Sequence, residues 1–130
     1  WEKLTLLFPT EAEIYNNMGL TLKKLGRKEE AYQGYSKALA LKRDYPELLN
    51  NLGVLYLTDG NKEKAKSYFQ EAVNLSKEYA DPTLHLALIF EQEGNAKQAL
   101  ENYRQFLKLS AEIDKDLRQK IENKIRGLSK

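Results

Sequence analysis

Cysteine is absent from this chain, which removes disulfide frameworks, thiolate metal sites and thiol catalysis, and leaves the cellular compartment undetermined by redox chemistry. Histidine is nearly absent: His85 is the only one, and the neighbours that a metal site or an imidazole acid–base pair would need are not offered around it. Neither charge sign dominates. Lys and Arg number 21 against 19 Asp and Glu, a net charge of +2, and no basic run is long enough to suggest a nucleic-acid groove. No apolar run approaches the roughly 18 residues that span a bilayer, and no signal-peptide pattern is visible. A glycine-rich phosphate loop is missing too, since Gly26, Gly60 and Gly94 are isolated turn glycines. The expectation from these absences is a non-enzymatic segment without cofactor, metal, nucleic-acid ligand or membrane insertion.

What the chain does have is repetition. Gly53 lies as far after Gly19 as it lies before Ala87. The same interval links Gly26, Gly60 and Gly94; Ala31, Ala65 and Ala99; Tyr35, Phe69 and Tyr103; and Leu41, Leu75 and Leu109. Five columns share this one period of about 34 residues, which marks a stack of supersecondary units. The 130 residues, 42% hydrophobic and 31% charged, can therefore bury a core, but one spread along the stack without a central chamber.

The spacing predicts a helix from the Thr10/Glu13 capping pair, with Ile14, Met18, Leu22 and Leu25 as its apolar stripe and Gly26 as a left-handed end. A second helix buries Ala31, Tyr35, Ala38, Leu39 and Leu41 and stops before Pro46. In the second unit Asp44 and Glu47 repeat the capping pair, Leu48, Leu49, Leu52, Leu55 and Tyr56 form one face, Asn61 caps the next helix, and Ala65, Phe69, Ala72 and Val73 form the other face. The third unit opens with Asp81 as N-cap before Pro82 and ends with Phe106 where Ala38 and Ala72 stood. Leu117, Ile121 and Ile125 then recur every four residues in a charged segment, the pattern of a capping helix against which Phe106 repacks. Trp1 and Leu4 fall in the columns of Tyr35 and Ala38, so residues 1–11 read as the end of a preceding repeat in a longer protein.

These residues resemble tetratricopeptide repeats, helix-turn-helix units of this same length with small residues at helix crossings. The resemblance rests on Tyr15, Met18 and Leu52, on Gly19, Gly53 and Ala87, on Ala31, Ala65 and Ala99, on Tyr35, Phe69 and Tyr103, on Ala38 and Ala72, and on Pro9. Leu49, Thr83, Leu22 and Phe106 depart from it. It implies an all-α solenoid of antiparallel helix pairs in a right-handed superhelix, with repeats over 12–45, 46–79 and 80–113 and a capping helix over 114–130.

It also implies a protein-interaction scaffold whose concave wall, built from the first helix of each pair, grips an extended or helical peptide. The expected wall positions are Asn16, Asn17, Leu20 and Lys24; Asn50, Asn51, Val54 and Thr58; and Leu84, His85, Leu88 and Gln92. Asn17 and Asn51 share a column and can bond the backbone of an extended ligand. Glu13, Glu47 and Asp81 form an acidic column, read as first-turn carboxylates that favour the helix dipole. The carboxylate clamp known in the family is matched only at Asn51, because Asn16, Leu20, Asp81 and His85 stand where Lys, Asn, Lys and Arg are needed, so a C-terminal dicarboxylate is not the expected ligand. A second expectation is self-assembly through the solenoid ends, with Trp1, Leu4, Leu7 and Phe8 at one of them.

Overall fold

The structure, a computed structural model, describes residues 9–130, so the readings that fall on Trp1, Leu4, Leu7 and Phe8 lie outside the described residues. Seven helices follow one another: α1 (Glu11–Lys24), α2 (Lys28–Leu41), α3 (Pro46–Thr58), α4 (Lys62–Leu75), α5 (Asp81–Gln92), α6 (Ala96–Leu109) and α7 (Lys115–Leu128). They fit three repeats and a capping helix. α1 packs on α2, α3 on α4 and α5 on α6; each pair then meets the next, and α1, α3 and α5 stand side by side along one wall.

The turns within pairs are built alike. Gly26, Gly60 and Gly94 have φ of 80°, 85° and 78°, the left-handed conformation that only glycine adopts cheaply. The following N–H groups reach back to Leu22, Tyr56 and Phe90 carbonyls at 2.9 Å each, closing the helix ends. Asn61 and Asn95 then cap α4 and α6, their side chains accepting from the N–H of Lys64 and Gln98.

Two expected caps are corrected. The residue before a proline is forced into extended backbone, so the N-cap of α3 falls to Tyr45 (φ −134°, ψ 92°), one residue beyond Asp44, and no side chain caps there. Ala80, not Asp81, takes the N-cap of α5, and Pro82 sits in the first turn where a missing N–H costs nothing. Thr10 does cap α1, its hydroxyl accepting from the Glu13 N–H at 3.2 Å.

The core runs along the stack in three linked clusters. Ala31, Tyr35 and Ala38 meet Leu48, Leu52 and Leu55; Ala65 and Phe69 meet Leu86 and Ile89; Ala87, Ala99, Tyr103 and Phe106 meet Ile121 of α7. Phe106 therefore packs under the capping helix as its column change suggested. Close crossings explain the small residues: a Cβ on Gly19 would lie 2.5 Å from Tyr35 Cδ1, and one on Gly53 2.5 Å from Phe69 Cε1.

The stripe expected on α1 is not its buried face. Ala12, Asn16 and Gly19 are buried instead, whereas Ile14, Met18 and Leu25 are 43%, 48% and 66% exposed. Leu41 and Leu75 likewise keep the period while remaining exposed at helix ends.

Candidate functional site

The wall of α1, α3 and α5 carries the expected ligand-facing residues, but it treats them unequally. Asn16 and Asn50 are buried, at 5% and 6% exposure, and neither presents its amide to solvent. Asn16 donates from Nδ2 to the Tyr45 hydroxyl at 3.3 Å, and its Oδ1 accepts from Asn51 Nδ2 at 2.9 Å. Asparagine is tolerated mid-helix here because this network satisfies it. The arrangement recurs one repeat later, where the Tyr79 hydroxyl faces Asn50. There His85 occupies the place of Asn51 and turns away: its ring stacks on Phe69, centroids 4.8 Å apart at 15°. Asn50 Oδ1 is left without a partner. In the third repeat Leu84 and Ile113 hold the same two positions within the apolar cluster under α7.

Burial raises the Tyr45 and Tyr79 hydroxyl pKa values, assisted by Glu13 and Glu47 around the first and by Asp81 and Glu47 around the second. Burial lowers that of His85, with Asp81 opposing and Lys23 reinforcing the shift. The Lys23 ammonium is itself lowered by burial and by Lys24 beside it. The wall thus has an acidic edge at the helix N-termini, Glu13, Glu47 and Asp81, and a basic corner at the C-terminus of α1.

The other expected residues divide as follows. Leu20, Val54, Leu84 and Leu88 are half-buried. Leu88 and Gln92 join Leu57, Lys62 and Ile89 around an open recess of about 570 Å³. Lys24 is exposed, and exposed Thr58 donates its hydroxyl to the Val54 carbonyl at 2.9 Å. Asn17 is exposed but lines a recess on the outer side of α1 with Ile14 and Met18, so it does not share a pocket with Asn51.

One feature was not anticipated from the sequence. A recess of about 490 Å³ opens between α4 and α6, lined by Gln70, Asn74, Phe90, Gln98 and Asn102 among others. One period earlier Tyr68 fills the equivalent space by stacking on Tyr56, centroids 5.6 Å apart at 7°, with Tyr32 tilted against Tyr56 at 5.1 Å. Asn102 stands in the Tyr68 column and is too short to do so, a difference readable in the sequence. Among the described residues no cluster of His, Cys, Asp or Glu could hold a metal ion, and no helix is long and apolar enough to cross a membrane.

An uninterrupted run of helix hairpins with glycine-ended first helices and small residues at the crossings defines a helical-repeat solenoid. The chain belongs to the tetratricopeptide repeat family, whose models match residues 10–78 and 84–113. No curated protein sequence matches it. Among solved structures it is similar to the first TPR of Spaghetti (RPAP3) bound to the HSP90 peptide SRMEEVD, at 21% identity, 92% of this chain, 90% of that chain and a TM-score of 0.78. It is also similar to the Yersinia enterocolitica type III secretion chaperone SycD in complex with a peptide of the translocator YopD, at 15% identity, 90% and 91% coverage and a TM-score of 0.80. An alternative dimer of SycD matches at 16% identity, 91% of both chains and a TM-score of 0.79. At these identities the likeness establishes the fold.

Proposed function

We propose that this chain is a non-enzymatic adaptor that holds a segment of a partner protein against the wall of α1, α3 and α5. The observation that carries this reading is the composition of the wall. Half-buried Leu20, Val54 and Leu88 offer apolar contact along three successive helices, while Asn51 stands among them with one amide hydrogen committed to Asn16 and the rest of its amide available. RPAP3 and SycD, which share the fold, were each solved with a peptide of another protein. An acidic tail is the wrong ligand for this wall, since Asp81 and Glu47 crowd its edge and no lysine or arginine stands at the clamp positions Asn16, Leu20, Asp81 and His85.

The test uses peptides selected from a displayed random library against the intact chain. Leu20→Ala combined with Asn51→Ala should weaken a selected peptide at least tenfold, about 1.4 kcal/mol, in protein that keeps its helical circular dichroism. Unchanged affinity in folded double variant would refute the assignment of the wall. Self-assembly is the second reading, supported by the likeness to a SycD dimer. Light scattering decides it: a mass that climbs with concentration favours self-assembly, and a constant monomer mass removes it.

A further inference from the structure

We infer that the recess between α4 and α6 seats a tyrosine side chain of an extended segment of a partner protein, at a place that shares no residue with the wall described above. The recess measures about 490 Å³, and every residue of its lining lies between Gln70 and Gln105. Its shape is therefore set by α4, α5 and α6.

One period earlier the same groove is closed by the chain itself. Tyr68 lies on Tyr56, centroids 5.6 Å apart at 7°, the Lys64 ammonium sits over the Tyr56 ring at 5.0 Å, and Arg43, just after α2, forks Glu71 of α4 at 3.0 and 2.9 Å. Between α4 and α6 each closing group is gone. Phe90 keeps the ring of Tyr56, but Asn102 stands for Tyr68, Gln98 for Lys64 and Gln105 for Glu71, and Lys77 is left in the Arg43 column without its carboxylate. Gln70 and Asn74 extend the change where α2 has Ser36 and Ala40. Five columns thus turn to side-chain amides together, all of them around one aromatic ring.

That composition selects the occupant. An amide both donates and accepts, which matches the backbone of an extended polypeptide. Among the described residues the lining carries one charge, the Glu101 carboxylate, so a phosphate or an acidic peptide meets no cation there. Asn102 commits one amide hydrogen to the Gln98 carbonyl at 2.9 Å. Its Oδ1 and the exposed amides of Gln70, Asn74, Gln98 and Gln105 remain open to a ligand. The ring is specified by the earlier groove, where the side chain placed against this column's aromatic residue is a tyrosine, and an aromatic pair contributes beyond its buried area while the hydroxyl can reach the polar rim. All eight tyrosines of the chain lie within the described residues and none lines the recess, so the ring has to come from another polypeptide.

The probe is the peptide acetyl-Ser-Gly-Tyr-Gly-Ser-amide, titrated into the isotope-labelled intact chain and followed by amide NMR shifts. Saturable shifts are expected at Gln70, Asn74 and Asn102, with affinity falling about tenfold when alanine replaces the peptide's tyrosine. Asn102→Tyr gives this recess the ring that Tyr68 gives the earlier groove; it should remove binding and leave the urea midpoint unchanged or higher. Phe90→Leu, which keeps an apolar floor without a ring, should weaken the probe by a similar factor with circular dichroism unchanged. The wall variant Leu20→Ala with Asn51→Ala should bind the probe as its parent does, so this inference and the wall assignment fail separately. Absence of saturable shifts, shifts indifferent to the peptide's tyrosine, or a folded Asn102→Tyr variant that binds as its parent does overturns the inference. It is equally overturned if a neutral oligosaccharide such as cellotetraose moves these amides and the peptide does not, or if raising the protein concentration alone moves them, which would make a second copy the occupant.

Discussion

Gly53→Ala puts the packing account under the hardest strain, because two opposed effects of similar size meet at one atom. Alanine in a helix interior is favoured over glycine by about 1 kcal/mol, so the substitution should stabilise α3 if the site has room. It has none: the added Cβ would lie 2.5, 2.7 and 2.8 Å from Cε1, Cδ1 and Cζ of Phe69. A side-chain tip can usually yield, but this ring is 0% exposed and its face is stacked on His85 at 4.8 Å. Overpacking a well-filled core typically costs about 1–3 kcal/mol. The net expectation is a loss of up to about 2 kcal/mol, read as a lowered urea midpoint at unchanged slope. The double variant Gly53→Ala with His85→Ala should recover part of the loss, because removing the imidazole frees the other face of the ring. A single variant more stable than its parent would refute the claim that Phe69 is immobile at this crossing. Ala87, in the same column, is fully buried beside Tyr103, so the column accepts a methyl where α5 and α6 are spaced for it.

Two further outcomes follow from the same packing. Burial holds the His85 pKa below its ordinary value of 6.5, so the unfolded chain binds the proton more readily than the folded one. The stability this contributes is complete above pH 6.5 and is lost as pH falls from there towards the folded value, and His85→Gln should flatten the dependence of the urea midpoint between about pH 7 and 5. An equally steep profile in the variant would place the titration elsewhere. Ile121 is 2% exposed in the cluster with Tyr103 and Phe106, and Ile121→Ala should cost about 2–5 kcal/mol and release α7 first, since α7 packs on the end of the stack against α6 alone, with half-buried Leu117, Ile125 and Leu128 and the Lys124–Glu91 ion pair at 3.1 Å as its other ties. Native-state hydrogen exchange should show α7 amides losing protection while α3 amides keep theirs; uniform loss along the stack would contradict a separable cap.

The repeat architecture was legible because a fixed period imposes the same steric demand three times. Gly26, Gly60 and Gly94 could be placed at left-handed ends, and Phe106 could be tied to the capping helix, each from one column. Failures came where a residue's partner belongs to another repeat. Periodicity alone says that Ile14 and Met18 share a side of α1, but it does not say which neighbour that side meets, and the buried side proved to be that of Ala12, Asn16 and Gly19. The asparagines misled for a related reason. A polar residue disfavoured mid-helix signals a hydrogen-bond partner without saying whether that partner is a ligand or, as for Asn16, a tyrosine 29 residues downstream. Asp44 failed as a cap because Pro46 forces Tyr45, directly before it, into extended backbone, a local rule stronger than the repeat offset, whereas Asp81 lies one residue inside α5, behind Ala80.

The Asn–Tyr pairs also differ from one repeat to the next along the wall. In the first repeat Asn16 is satisfied by Tyr45 and Asn51 together; in the third, Leu84 and Ile113 replace asparagine and tyrosine by apolar side chains. The connection between a first helix and the loop after its repeat can therefore be polar or apolar, so long as both members change together, as expected when a buried hydrogen bond is exchanged whole for apolar contact. The second repeat lies between these two solutions. It retains Asn50 and Tyr79 but has lost the donor at position 85, and Asn50 Oδ1 is the acceptor left over. The α3–α5 junction is thus the place along the wall where this polar connection is incomplete, while the junction of α1 with α3 is held by satisfied bonds.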